Sequence, residues 1–332
     1  MLNFTFNLQM FALTTVPANL VKKLWSSQLW KEAQRDNFFA KFTGTSQDSI
    51  IQEITQLKKE SGDQITIPLM MRLTGEATMG DDILEGNEEA LTFYDYSVQI
   101  NQFRHAVRLK GRMEEQKTIL DLRTNAKDGL KTWLVEYIEN GIVKALTANP
   151  TASHTMYAGS NSAESTITAT DLLTTDLISA AARLAKTMSP KIRRPKVNGK
   201  EYYVLLVDPY QARDLKKDAN WKEAQKYCAE RGIDNPLFSG MLGVWDGVVL
   251  HEYENLIRTE AGASKAMTGH ALLLGCQAGV KAIGADPEWE EETFDYKNQH
   301  GFAVGGIMGF GKPKYNGKDF AVVQLITSSA ND

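Results

Sequence analysis

The chain has 332 residues, of which 42% are hydrophobic, and it carries a formal net charge of -4 with a pI near 5.8. This length is sufficient for one large or two ordinary domains with a proper core, so neither a disulfide nor a metal ion is needed to hold the fold. The acidic pI excludes proteins that grip nucleic acid mainly through a basic surface, and no apolar run reaches the roughly 20 residues of a membrane helix.

Residues 1–61 are predicted to form an N-terminal arm and a helix. Between residues 16 and 42 the apolar and aromatic side chains form an amphipathic pattern, and they include Leu20, Leu24, Trp25, Leu29, Trp30, Phe38, Phe39 and Phe42. The segment either packs on its own domain or docks elsewhere, and periodicity alone leaves both alternatives open.

Residues 62–110 are predicted to form an extended loop built as a long β-hairpin. The outgoing and return sides alternate apolar with other residues at period two, and the apolar positions are Ile65, Ile67, Leu69, Tyr94, Tyr96, Val98 and Ile100. An isolated two-stranded hairpin is marginal in water. We therefore expect this arm to pack on its own body or on a neighbouring subunit, and its length favours the neighbour.

The tip of the arm is strongly acidic. No Lys or Arg occurs between Arg72 and Arg104, and the carboxylates of the tip are Glu76, Asp81, Asp82, Glu85, Glu88 and Glu89. Gly75, Gly80 and Gly86 supply turns. A calcium loop is disfavoured because Ile83 and Leu84 stand where oxygen ligands would be required, so we expect a solvated or interfacial acidic face.

Residues 111–150 carry the clearest helical pattern in the chain. Apolar residues recur at steps of three and four from Met113 to Leu146, which predicts one long spine helix over 112–148 that ends at Asn149-Pro150. Gly129 and Gly141 inside it indicate a bend or a close contact.

Residues 151–285 are predicted to form a compact α/β unit. The pattern predicts helices over 171–188 and 221–231, a strand buried on both faces over 202–207, and single strands over 244–253 and 270–275. Residues 286–332 are predicted to be closing strands. The glycine cluster in 305–311 lacks GxGxxG spacing, so hairpin or bulge glycines are favoured over a phosphate loop.

No motif in the sequence predicts catalysis or a bound cofactor or metal. Asp208 follows the buried strand, where catalytic acids often lie in α/β sheets, but Asp-Pro is also a common start of a turn. The five histidines show no ligand spacing, and Cys228 and Cys276 form no CxxC pair, which favours a reducing compartment.

The order of these pieces resembles the major capsid proteins of tailed bacteriophages, which share the Hong Kong 97-type fold. Residues 7–12 (NLQMFA) are similar to the start of many phage capsid subunits. Residues 203–212 (YVLLVDPYQA) and 242–248 (LGVWDGV) resemble strands of the family's apical domain, and residues 306–326 resemble its closing sheet. The enquatrovirus-type major capsid family is the most similar branch.

The resemblance implies an α+β fold with an N-terminal arm, an extended β-hairpin loop, a long spine helix, a peripheral domain and an α/β apical domain. It assigns 1–61 to the N-terminal arm and helix, 62–110 to the extended loop (the hairpin arm), and 111–150 together with 286–332 to the peripheral domain. It assigns 151–285 to the apical domain. It also implies a non-enzymatic shell subunit of the virion, assembled in the host bacterial cytoplasm around double-stranded DNA.

The expected partners are further copies of the chain in hexamers and pentamers, a portal, and decoration proteins. Some family members carry a long N-terminal scaffolding segment. Because this sequence begins almost at the N-terminal arm, a separate scaffolding protein is expected. Packaged DNA would be contacted weakly and without sequence specificity.

Three sets of residues are predicted to make these contacts. The extended loop would contact a neighbour through Glu76, Asp81, Asp82, Ile83, Leu84, Glu85, Tyr94 and Tyr96. The basic surface that meets its tip would contain Arg104, Arg108, Arg112, Lys191, Arg193 and Arg194. The inner surface would carry Arg123, Lys127 and Lys131.

Two other classes of protein fit parts of the pattern. A cellular encapsulin-type nanocompartment shell has the same fold and differs in enclosing a cargo enzyme instead of DNA. An α/β nucleotide-binding enzyme would need a ligand pocket at the end of the 202–207 strand, and it leaves the acidic arm unexplained.

Overall fold

The computed structural model describes residues 29–56, 62–70, 77–80, 85–86, 88, 93–119, 121–197, 200–226 and 240–329. These residues form two main β-sheets with helices packed against them. The helices are α1 (residues 29–36), α2 (Arg112–Lys117), α3 (Leu122–Thr147), α4 (Thr175–Thr187), α5 (Pro209–Lys217) and α6 (Ala219–Lys226). Short 3-10 helices occupy Phe38–Phe42, Ala152–His154, Glu164–Thr166 and Ala263–Lys265.

The strands of the first half of the chain are β1 (Thr43–Gly44), β2 (Ile51–Ile54), β3 (Gln64–Met70), β4 (Phe93–Gln99), β5 (Asn101–Arg108), β6 (Thr155–Tyr157), β7 (Lys196–Val197), β8 (Lys200–Glu201) and β9 (Tyr203–Val207). Those of the second half are β10 (Met241–Trp245), β11 (Val248–Glu252), β12 (Arg258–Thr259), β13 (Thr268–Leu274), β14 (Gly279–Phe294), β15 (Gln299–Gly311), β16 (Lys314–Tyr315), β17 (Lys318–Asp319) and β18 (Val322–Ser328).

The five-stranded sheet has the order β1-β2-β14-β15-β5, and α3 packs on one of its faces. Strands β14 and β15 form a long antiparallel hairpin, and β5 pairs with β15 from Asn101 opposite Met308 to Arg108 opposite Gly301. Strand β5 therefore lies at an edge of this sheet.

The seven-stranded sheet has the order β10-β11-β9-β13-β18-β6, and β12 pairs with β13. All five residues of β9 are buried, as expected for the apolar run over 202–207. Strand β18 pairs along its whole length with β13. The final strand thus lies in the sheet of the predicted apical region, which differs from the expected grouping of 286–332 with the spine helix.

The prediction of one continuous helix over 112–148 is wrong. Helix α2 ends at Lys117, Thr118 has extended backbone angles (φ -101°, ψ 136°), and α3 begins only at Leu122. The Asp121 carboxylate accepts hydrogen bonds from the N–H groups of Arg123 and Thr124 at 3.0 and 3.2 Å. Such an N-cap starts a new helix because it satisfies backbone donors that have no partner in the preceding turn.

The single strand predicted over 244–253 is also wrong, because β10 and β11 form a hairpin there. Asp246 and Gly247 both have positive φ, at 44° and 75°, as a tight two-residue hairpin turn requires. The helix predicted over 221–231 is observed as α6, and its remaining residues lie outside the described part of the chain.

The buried histidines His154 and His270 make the stability of the folded chain depend on pH. Burial lowers the pKa of both His154 and His270, although the Asp319 and Glu164 carboxylates, respectively, oppose this shift. His270 lies 3.1 Å from the Glu164 carboxylate, and the Gln324 side chain donates to its other ring nitrogen.

Below the ordinary histidine pKa of about 6.5 the unfolded chain therefore takes up protons that the folded chain does not. We expect the free energy of unfolding to fall as the pH is lowered from about 6.5, and the slope to flatten in His154→Gln and His270→Gln. Urea unfolding of the unassembled subunit at several pH values measures this slope. An unchanged slope in both variants would contradict the assignment.

Candidate functional site

The described part of the arm is the predicted antiparallel pair. Strands β3 and β4 pair from Gln64 opposite Gln99 to Met70 opposite Phe93. Ile65, Ile67 and Val98 are buried, which confirms the period-two pattern at the base.

At the tip, Gly80 and Gly86 have positive φ, and Glu85 and Glu88 are exposed. The predicted contact residues Glu76, Asp81, Asp82, Ile83 and Leu84 lie outside the described residues, as does the side chain of Tyr94.

The base of the arm packs on the body of its own chain. Ile65, Ile67 and Val98 form a separate apolar cluster with Val280 and Ala282 of β14. Such burial stabilises the attachment of the arm base to β14 by about 25 cal/mol per Å² of apolar surface removed from water. Of the two alternatives in the sequence, packing on its own body is therefore observed for the base of the arm.

Tyr96 was predicted to contact a neighbouring subunit, but its hydroxyl is used within the chain. It accepts a hydrogen bond of 3.1 Å from the backbone N–H of Lys312, and its ring packs on the arm-base cluster. Burial raises the pKa of Tyr96. Its role in this structure is to fix the arm to the strand end below it.

Glycines of β15 form the floor on which the return strand lies. A Cβ on Gly309 would stand 2.2 Å from the Gln99 carbonyl oxygen, and one on Gly311 would stand 2.7 Å from the Val98 side chain and 2.8 Å from the Tyr96 hydroxyl. Real side chains do not fit at such distances. These two glycines lie within strand β15 of the β14–β15 hairpin and permit close approach of the arm.

A buried ion pair lies directly beyond this glycine floor. Lys312 Nζ is 2.9 Å from Asp319 Oδ2, and the two residues are only 4% and 2% exposed. The same carboxylate oxygen accepts a 3.1 Å hydrogen bond from the Thr151 N–H, so the pair links the end of β15, β17 and the loop after α3. Burial lowers the pKa of the Lys312 ammonium, and the Asp319 carboxylate opposes that shift.

Three of the predicted basic residues come together in one place. Lys191, Arg193 and Arg194 line a cavity of about 490 Å³. Two further cations and two carboxylates complete the titratable part of its lining, namely Lys186, Lys196, Asp48 and Glu201. Five cations and two carboxylates give this basic cavity a formal excess of three positive charges.

Two of the cavity arginines are held by ion pairs with its carboxylates. Arg194 lies 2.8 Å from Glu201, and Arg193 lies 3.6 Å from Asp48 and donates to the Gln277 side chain at 2.9 Å. Lys191 and Lys196 are exposed, so the part of the cavity open to a partner is lysine-rich.

The other three predicted basic residues lie elsewhere. Arg104 and Arg108 project from the exposed face of β5, and Arg112 begins α2. Arg108 donates to the Gln299 side chain and stacks 4.2 Å over the ring of Phe294. These residues form a surface at the edge of the five-stranded sheet instead of joining the basic cavity.

The predicted inner-surface cations of α3 are paired within the chain. Arg123 lies 2.8 Å from Glu291, and Lys131 lies 2.9 Å from Asp36 of α1. Lys127 is 3.8 Å from Glu32, also on α1. Their observed contacts tie α3 to α1 and to β14.

Asp208, for which the sequence left a catalytic role open, makes the contacts of a helix cap. Asp208 is fully buried, caps α5 by accepting from the Gln211 N–H at 2.6 Å, and accepts from the Ser329 hydroxyl at 2.6 Å. Within the described residues, no cluster of three or more His, Cys, Asp or Glu side chains is arranged to hold a metal ion. The same residues contain no helix that is long and apolar enough to span a membrane.

Comparison with known proteins gives concordant matches over most of the chain. A family model described as phage capsid protein matches residues 14–156 and 139–330. The major capsid protein of Pseudomonas phage KPP25 is 33% identical, over 94% of this chain and 96% of that protein.

Solved structures give the same result. The capsid of Ralstonia phage GP4 superposes with a TM-score of 0.81 at 30% identity, covering 89% of this chain and 92% of that one. The capsid protein of cyanophage Pam1 superposes with a TM-score of 0.76 at 24% identity and the same coverage.

Proposed function

This chain belongs to the phage capsid protein family, and we propose that its copies assemble into the icosahedral head shell that encloses the double-stranded DNA genome of a tailed bacteriophage. It is a major capsid protein with the Hong Kong 97-type α+β fold. The observation that carries this conclusion is the likeness to a phage major capsid protein along almost the whole chain, arm included. We assign the protein a structural role without a catalytic step and place it in the virion.

The arm supports assembly by overlap of neighbouring subunits. Its base is fixed to the body of the chain by the β14 cluster and by Tyr96, so the arm starts from a rigid attachment. Symmetry repeats one such contact around a closed shell, and many modest contacts then stabilise the whole assembly.

We further propose that the acidic tip of the arm meets the basic cavity of a neighbouring copy. The tip contains six carboxylates and no cation, whereas the cavity has an excess of three positive charges and exposed Lys191 and Lys196. Opposite electrostatic potentials of this kind fix the register of the two surfaces and increase the rate of association more than they increase affinity. Arg104, Arg108 and Arg112 are a less suitable partner, since Glu288 and Glu290 line the same exposed surface as Arg104.

Charge reversal tests this contact. We expect Lys191→Glu with Lys196→Glu to slow shell assembly about tenfold at low salt, and less at high salt because screening already weakens the contact. Adding Asp81→Lys and Asp82→Lys to the same chain should restore the rate. Light scattering during assembly measures it.

Exposed Lys222 and Lys265 provide the matched control, since their reversal to Glu gives the same change in net charge away from the cavity. Equal slowing in the control pair, or no rescue by the arm changes, would contradict the proposed contact.

We propose that Arg123, Lys127 and Lys131 face packaged DNA on the inner surface. Because each cation is already paired with a carboxylate of the same chain, their contribution to DNA contact is small and sequence-independent. A separate scaffolding protein, a portal and decoration proteins are the further partners that we propose, with assembly in the bacterial cytoplasm.

Electron microscopy of the purified protein, expressed with and without its neighbouring genes, tests the function. Closed shells or sheets of hexamers are expected, and DNA inside them distinguishes a phage head from a nanocompartment that holds a cargo protein. A small soluble oligomer under both conditions would overturn the proposal.

A further inference from the structure

The basic cavity contains lysines whose charge is not neutralised within the chain. Lys191 and Lys196 are exposed, and among the described residues neither forms an ion pair with a carboxylate. Lys186 has only a weak pair, since its ammonium lies 3.9 Å from Asp246 and the two side chains are 41% and 47% exposed. Like charges gathered in one place repel one another, so the cavity favours a bound anion.

The two arginines of the cavity, in contrast, are held by contacts within the chain. The Arg193 guanidinium donates to the Gln47 carbonyl oxygen at 3.1 Å and to the Gln277 side chain at 2.9 Å. The Arg194 guanidinium lies 2.8 Å from the Glu201 carboxylate. Because their planar groups are already engaged, these arginines supply fixed charge to the cavity more than free pairs of hydrogen-bond donors.

The backbone at Gln277 indicates that the surrounding structure enforces the position of Arg193. Gln277 is 8% exposed and has a φ of 58°, a conformation that residues other than glycine rarely adopt. Its N–H donates to the Ser49 carbonyl oxygen at 2.8 Å, and its side chain donates to Gln52 at 3.1 Å while accepting from Arg193. Backbone strain of this kind persists where the structure around it holds a group in place, and it clusters at ligand sites. This wall of the cavity therefore holds a positive charge at a defined position.

Size and charge indicate the class of ligand. The cavity volume of about 490 Å³ is within the range of roughly 300–1,000 Å³ that small-molecule sites occupy. The titratable lining carries a formal excess of three positive charges, so a highly charged anion fits it best. A carboxylate is recognised best by a free planar guanidinium, whereas lysine binds phosphate groups as a point charge. The exposed lysines therefore favour a phosphate chain.

We propose that the basic cavity binds a small polyphosphate anion, and that this anion competes with the acidic arm tip of a neighbouring copy. Binding of the anion needs only one chain, whereas the competition rests on the proposed function. An occupied cavity would no longer attract the acidic tip, so free polyphosphate would slow assembly and its removal would restore the rate. Inorganic polyphosphate and nucleoside triphosphates both supply such a phosphate chain.

Isothermal titration calorimetry of the full-length, unassembled subunit with inorganic triphosphate tests the site, in buffer without divalent cations. We expect Lys191→Gln with Lys196→Gln to weaken binding about tenfold, because two partly exposed charge contacts are lost. Lys222→Gln with Lys265→Gln is the matched control, since both lysines are exposed and neither lines the cavity. Equal weakening in the two pairs, or no binding by the parent protein, would overturn the assignment.

A comparison with ATP distinguishes the two sources of the phosphate chain. Tyr203 lines the cavity, but it is 1% exposed and its hydroxyl donates to the Ile192 carbonyl oxygen, so its ring is not available to stack on a base. We therefore expect ATP to bind no more tightly than inorganic triphosphate and to lose affinity equally in Lys191→Gln with Lys196→Gln. Binding of ATP about tenfold tighter than triphosphate would overturn the assignment, because it would require a base-recognition site that this lining does not offer.

Assembly kinetics test the competition. At constant ionic strength, which removes general screening from the comparison, we expect triphosphate to slow shell assembly about tenfold relative to sulfate in the parent protein. The rates of Lys191→Gln with Lys196→Gln in the two anions should be equal. Unchanged assembly with triphosphate bound would overturn the competition, while the binding site would stand. If no shells form under any condition, the proposed function fails, and calorimetry on the subunit still decides the site.

Discussion

Replacing Asp319 with alanine is expected to destabilise the subunit by about 3–5 kcal/mol, because the buried Lys312 ammonium would lose its partner. Both side chains are almost completely buried, so water cannot replace the lost carboxylate. The variant also removes the acceptor of the Thr151 N–H, which is a further buried donor. Urea unfolding of the unassembled subunit measures the change in the free energy of unfolding.

The partly exposed pair of Lys131 and Asp36 is the matched control for this experiment. Its side chains are 21% and 38% exposed, and Lys131→Ala should cost no more than about 1 kcal/mol. Replacing both members of the buried pair, as Lys312→Met with Asp319→Leu, should recover much of the loss because no unpaired charge remains. A cost below about 1 kcal/mol for Asp319→Ala would mean that water or another group reaches Lys312.

Local patterns in the sequence predicted most elements correctly. The alternation of Ile65, Ile67 and Val98 predicted the arm base, and the apolar run at 202–207 predicted the buried central strand that is observed as β9. Gly141 was expected at a bend or close contact, and a Cβ there would stand 2.5 Å from the Phe310 ring. These features follow from spacing within one element, which a sequence displays directly.

The features that sequence reasoning missed depend on contacts between distant segments. Lys312 and Asp319 look like ordinary surface residues, since nothing local indicates that both are buried beneath the arm. The break at Thr118 was missed because the apolar stripe continues through it, although Asp121 followed by Arg123 and Thr124 is a cap signal. The pairing of β18 with β13 likewise joins segments about fifty residues apart.

The basic cavity was predicted in part. Lys191, Arg193 and Arg194 are close in sequence, and they line one cavity. Lys186 joins them from the end of α4, and Asp48 joins them from a loop far earlier in the chain. Arg104, Arg108 and Arg112 were placed in the same set because of their charge. Charge alone does not show that two groups of residues lie on different surfaces of the fold.

Gly309→Ala is expected to abolish shell assembly while leaving a folded subunit. The new Cβ would meet the carbonyl oxygen of Gln99 at 2.2 Å, a backbone atom that can move only if the return strand of the arm moves with it. Overpacking of this kind costs about 1–3 kcal/mol in the subunit, and each 1.4 kcal/mol lost at an intersubunit contact weakens that contact tenfold.

Size-exclusion chromatography and electron microscopy should therefore find soluble subunits with normal circular dichroism and few shells. Gly129→Ala is the matched control, since no heavy atom lies within 4 Å of its added Cβ in the exposed part of α3. That change should stabilise the helix by about 0.5–1 kcal/mol and leave assembly intact. Normal shells from Gly309→Ala would mean that the arm adopts its assembled position independently of this floor. In that case neighbouring subunits, and not the contact of the return strand with β15, would determine where the arm points.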